Sequence, residues 1–70
     1  MTQVLSDMSG SVAAVRVAAG DAVAEDDDLL VLESMKMEIP VGAPADGTVA
    51  AVHVDVGDRV DEGDLLVTLS

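Results

Sequence analysis

Shifted by 37 residues, this chain matches itself. The segment "GSVAAVRVAAGDAVAEDDDLLVLE" (10–33) aligns without gaps on "GTVAAVHVDVGDRVDEGDLLVTLS" (47–70), and 13 of the 24 aligned pairs are identical. Glycines and aspartates match as well as valines: Gly10, Gly20, Asp21 and Asp27 align with Gly47, Gly57, Asp58 and Asp64. A valine-rich composition alone does not align such punctuation. Two copies are too few to stack into a solenoid. They suit a fold with an internal two-fold axis.

Each half reads as strand, turn and strand. A branched Cβ suits a pleated, half-buried surface. Thirteen valines, ten alanines and seven leucines must build the core of a chain without a single aromatic residue. In "SVAAVRV" strict alternation assigns Ala13, Val15 and Val17 to the core and Val12, Ala14 and Arg16 to the other face. "TVAAVHV" repeats the pattern, with His53 in the slot of Arg16. "GDAVAEDD" and "GDRVDEGD" are turn-rich links, after which "DLLVL" and "DLLVT" open the next strands. No apolar period of about 3.6 survives the glycines, so the expected class is all-β.

Seventy residues make one small domain, 1–70. Three basic residues against fourteen acids leave a net charge of −11, which repels nucleic acid and anionic membrane alike. With no cysteine there is no disulfide framework, thiolate metal site or thiol nucleophile. The start, "MTQVLSDMSG", has neither the basic nor the apolar region of a secretory signal. Its Met1 fits a complete product. The longest apolar runs, such as "LLVL" (29–32), are too short to span a bilayer. A soluble cytoplasmic protein, monomeric when isolated, is expected. A core of this size supplies about 3–5 kcal/mol, a poor foundation for an elaborate catalytic cleft.

The repeat also locates the only lysine. Glu33 aligns with Ser70 and Glu38 with Met1, so residues 34–37, "SMKM", correspond to the gap between the chain ends. Under a two-fold axis they form a tight reversal between two strands, with the ends meeting at the opposite pole. Tight hairpins favour Asn-Gly, Asp-Gly or another glycine at the tip, where φ is positive. "ESMKMEI" contains no Gly, Asn, Asp or Pro. Where the fold demands a turn and the residues are wrong for one, function is the usual reason. An amine, Lys36, is displayed at an apex between Met35 and Met37.

At these residues the chain resembles the biotin and lipoyl attachment domain family, and its biotinyl branch in particular. "ESMKMEIP" (33–40) is similar to that branch's Glu-Ala-Met-Lys-Met signature, and "APADGTVAAVHVDVGDRVDEGDLLVTL" (43–69) to the family's second half. The resemblance runs from about Met8 to Ser70. It implies a flattened β-barrel, a sandwich of two four-stranded antiparallel sheets with internal two-fold pseudo-symmetry (a barrel-sandwich hybrid) and the modified lysine on an exposed hairpin. It implies covalent biotin on Lys36, attached by a biotin protein ligase, and partner recognition through Glu33, Met35 and Met37. The tethered biotin then shuttles carboxyl groups from a biotin carboxylase to a carboxyltransferase, as in the acyl-CoA carboxylases of fatty acid biosynthesis. Ser34 stands where alanine or valine is usual, a small-for-small change. No inserted "thumb" loop is present, which favours a thumbless carrier.

Other readings stand beside this one. A lipoyl carrier shares the architecture, but its hairpin usually shows Asp-Lys-Ala. An unmodified barrel serving as an adaptor would explain the repeat and leave the lone Met-Lys-Met without a reason. An independent enzyme lacks any catalytic or metal-ligating constellation. Met35 and Met37 could be core filler, yet a turn can hardly bury both. The acidic run 25–28 lacks the glycine and distal glutamate of a calcium loop, so it reads as a solvated turn. His53 has no partner that would make it a ligand or base. Pro40 marks an edge strand or strand end.

Overall fold

A computed structural model describes all 70 residues, Met1–Ser70. Eight strands occur in order: β1 (Thr2–Leu5), β2 (Gly10–Val15), β3 (Ala22–Val23), β4 (Asp28–Ser34), β5 (Met37–Gly42), β6 (Gly47–Val52), β7 (Arg59–Val60) and β8 (Leu65–Leu69). They form two four-stranded sheets of order β1-β8-β6-β3 and β5-β4-β2-β7, and every pairing is antiparallel. The 37-residue shift carries one sheet onto the other, taking β2, β3, β4 and β5 to β6, β7, β8 and β1. The registers agree: Leu32 pairs with Ile39 in one sheet, and Leu69 with Thr2 in the other. Pro40 sits in β5, an edge strand, where its missing N–H breaks no ladder.

Twelve side chains make the core, six of them valines and five leucines. Leu29, Leu30, Leu66 and Val67 are wholly inaccessible. Strict alternation misplaces two neighbouring residues in each half. Ala13 and Ala50, expected inside, lie outside the core, and Ala50 is exposed. Val12 and Val49, expected on the outer face, are buried at 2% and 1% exposure. The register slips between Val12 and Ala14, and likewise between Val49 and Ala51. A bulge inserts one extra residue and flips the phase of the strand beyond it. Val12 therefore points inward before the bulge, and Val15 and Val17 still pack on the core after it. The links also hold more than turns. Each dips into the core through a two-residue strand, burying Val23 and Val60.

Four of the aspartates build turns. In the segments 18–21, 24–27, 55–58 and 61–64 the closing aspartate donates its backbone N–H to the first residue's carbonyl at 3.0–3.1 Å. Its carboxylate in turn accepts the first residue's N–H at 2.8–2.9 Å. The third residue has positive φ in each: Gly20, Asp26, Gly57 and Gly63. That is the type II pattern. Asp26 alone does it without being glycine, and aspartate tolerates the left-handed region better than most residues. The acidic run thus fills the turn 24–27 and opens β4 at Asp28, and Glu25 N–H donates to Asp46 at 2.7 Å.

The barrel is elongated, 30 × 17 × 17 Å. β2 starts beside Glu33, near the β4–β5 connection. By Arg16, whose N–H donates to the Leu29 carbonyl, the chain has reached the far end of β4. Gly20 then donates to Val49 of β6, whose neighbour Thr48 exchanges backbone hydrogen bonds with Ser70. The two chain ends therefore lie together, at the pole opposite the β4–β5 connection.

Candidate functional site

β4 and β5 run in register to their ends, Glu33 opposite Glu38 and Ser34 opposite Met37. Only Met35 and Lys36 are left to reverse the chain. Their φ angles are +53° and +65°, so both central residues are left-handed, as in a type I′ hairpin. For side-chain-bearing residues this costs roughly 1–2 kcal/mol each. The tip is convex and wet: Met35 is 92% exposed, Met37 63%, and Lys36, Glu33 and Glu38 are exposed as well. Met35 and Met37 are therefore not core filler. Met8, by contrast, packs against the core.

The hairpin is held at its base by close contact. A Cβ added to Gly10 would lie 2.6 Å from the Glu33 carbonyl oxygen, so only a hydrogen atom lets β2 approach the end of β4. Sequence reasoning alone assigns Gly10 no role at the site. Its match to Gly47, where a Cβ would lie 2.9 Å from the Ser70 carbonyl, was the available signal. Across the sheet, Glu38, Glu33, Ser11 and Arg59 form one row. Arg59 thus shares a face with both glutamates, a neighbour invisible in the sequence. Glu33 and Glu38 face each other as like charges, an arrangement that weakens a strand pair.

Other candidates lie elsewhere. His53 is exposed, with Nε2 2.9 Å from the Thr68 hydroxyl. Two shallow grooves follow the pseudo-two-fold axis. One of about 250 Å³ lies between the edge strands β1 and β5, and the other is lined chiefly by Val15, Val17, Val52, Val54 and Val56. Neither includes Lys36. The hairpin tip offers one exposed primary amine, which can receive an acyl group from an enzyme that encloses the tip.

A two-sheet barrel presenting a lysine on a strained hairpin has the form of a covalent-attachment domain. The chain belongs to the biotin/lipoyl attachment family, whose model, described as "Biotin-requiring enzyme", matches residues 2–69. Among solved structures it resembles part of the Kluyveromyces lactis urea carboxylase, with TM-score 0.93 and 32% identity over 99% of this chain. It also resembles part of a single-chain, multi-domain long-chain acyl-CoA carboxylase, with TM-score 0.87 and 30% identity over 94% of this chain. It spans 6% of each of those two chains. The lipoyl domain of the Azotobacter vinelandii 2-oxoglutarate dehydrogenase complex matches with TM-score 0.75 and 35% identity, over 89% of this chain and 78% of that one. A search of curated proteins gave no significant match.

Proposed function

We propose that this chain is a biotin carboxyl carrier, modified on Lys36 by a biotin protein ligase and serving a biotin carboxylase and a carboxyltransferase in turn. The observation that carries the reading is the tip itself, Met35-Lys36-Met37 on a turn that leaves both methionines exposed. The likeness to segments of two carboxylases supports it. Lys36 is exposed, and the hairpin carries no group that activates an acyl donor. The ligase must therefore desolvate the amine and supply an activated acyl-adenylate, releasing AMP as the amide forms. Acylation removes the tip's positive charge and lengthens its side chain. Biotin, when bound, supplies the ring that accepts and gives up a carboxyl group. The catalytic groups belong to the partners. The carrier works in the cytoplasm, as a monomer when isolated.

The 35% identity to a lipoyl domain favours a second reading, a lipoyl carrier of a 2-oxo acid dehydrogenase or glycine cleavage system. The same lysine would serve. Intact mass of the protein from its native host separates the two, because biotin and lipoate add different masses. In vitro, Lys36→Arg should fold normally and take no streptavidin-detectable biotin from ligase, ATP and biotin. Since the chain has no other lysine, persistent labelling of that variant would sink the assignment.

A further inference from the structure

We infer that Met35 and Met37 form an oxidation-sensitive gate on modification of Lys36, with peroxide-class oxidants as the reagent. The inference rests on the attachment role proposed for Lys36. The four methionines fall into three environments. Met35 and Met37 are 92% and 63% exposed and flank the amine on a two-residue turn. Met1 is 90% exposed but lies at the pole of the chain ends. Met8 is half-buried and packed against the core. Methionine oxidation is governed by access to the sulfur. It turns a flexible apolar side chain into a polar, chiral one.

The chemistry closes without help from the protein. Hydrogen peroxide gives one oxygen atom to the thioether sulfur and leaves as water. Sulfur loses two electrons, the O–O bond breaks and the S=O bond forms. A methionine sulfoxide reductase reverses the change. No packing opposes the reaction at Met35, so the fold should tolerate it. The consequence falls on recognition, because both sides of the amine change from apolar to polar together. A ligase that receives the tip through polarizable apolar contacts would then meet two sulfoxides. The turn geometry that displays Lys36 is also what exposes the sulfurs.

The test uses the whole unmodified chain, treated with hydrogen peroxide under native conditions and then analysed by peptide mapping. Met35, Met37 and Met1 should each gain about 16 Da well before Met8 does. The melting temperature should stay unchanged. The initial rate of biotinylation should fall severalfold and return after treatment with methionine sulfoxide reductase. A Met35→Leu/Met37→Leu double variant is compared as the ratio of its peroxide-treated to untreated rates, so that any lower basal rate cancels. That ratio should be near one, although Met1 and Met8 are still present. Oxidation of Met8 as fast as Met35, an undiminished rate in the oxidised parent, or an equal loss in the double variant each overturn the gate. An untreated parent that the ligase cannot modify at all would instead overturn the carrier reading, while the mapping still tests which sulfurs are open.

Discussion

At the scale of single residues, the two left-handed positions set function against stability. Met35 and Lys36 occupy backbone conformations that Asn and Gly fill with little strain. Met35→Asn should therefore raise stability by about 1 kcal/mol, or roughly 4–8 °C in melting temperature for a domain this small. It should also slow the ligase by removing an apolar contact. An unchanged or lower melting temperature would show that the tip stores no strain. Met35→Ala and Met37→Ala should each shift stability by less than about 0.5 kcal/mol, against the roughly 2–5 kcal/mol lost when a buried methionine is truncated. A large fall in melting temperature, with the ligase rate per folded molecule unchanged, would return both methionines to the core. The mismatch was legible in advance because "SMKM" has no Gly, Asn, Asp or Pro for a turn that needs positive φ. Gly10 was not. Its need to be glycine comes from a strand 23 positions away, and nothing local announces it.

At the scale of elements, the repeat contains its own control experiments. Asp26 and Gly63 occupy the same place in equivalent turns, and both have positive φ. Asp26→Gly should release about 1 kcal/mol of left-handed strain and one negative charge. Thermal unfolding should rise by a few degrees, and a fall would mean that the Asp26 side chain contributes more than its backbone costs. Strand positions and the place of the reversal could be read from the sequence, because glycine and aspartate mark the ends of each unit. The inward faces of β2 and β6 could not. Alternation assumes one residue per rung, and the bulges at Ala13 and Ala50 break that count. The short strands β3 and β7 were hidden for a related reason. Two residues are too few to show a period, and only the matched Val23 and Val60 hinted at burial.

At the scale of the whole molecule, charge and shape take over. Eleven net negative charges sit on a body 30 Å long. At about 0.01 M salt the Debye length is about 30 Å, so every charge feels the others, whereas at 1 M it is about 3 Å and they are mostly screened. Repulsion is largest in the compact state, so the melting temperature should climb as salt is raised between those limits. A flat profile would mean that the structural aspartates and their hydrogen bonds outweigh the repulsion. The two-fold relation between the sheets, visible in the sequence as a 37-residue shift, fixes one further property. Because the chain ends share one pole and Lys36 holds the other, both leashes of any tethering would attach at a single handle. The whole barrel then acts as a rigid boom. Its length adds to the reach of whatever Lys36 carries, and a linker can be lengthened or shortened at the handle without disturbing the tip.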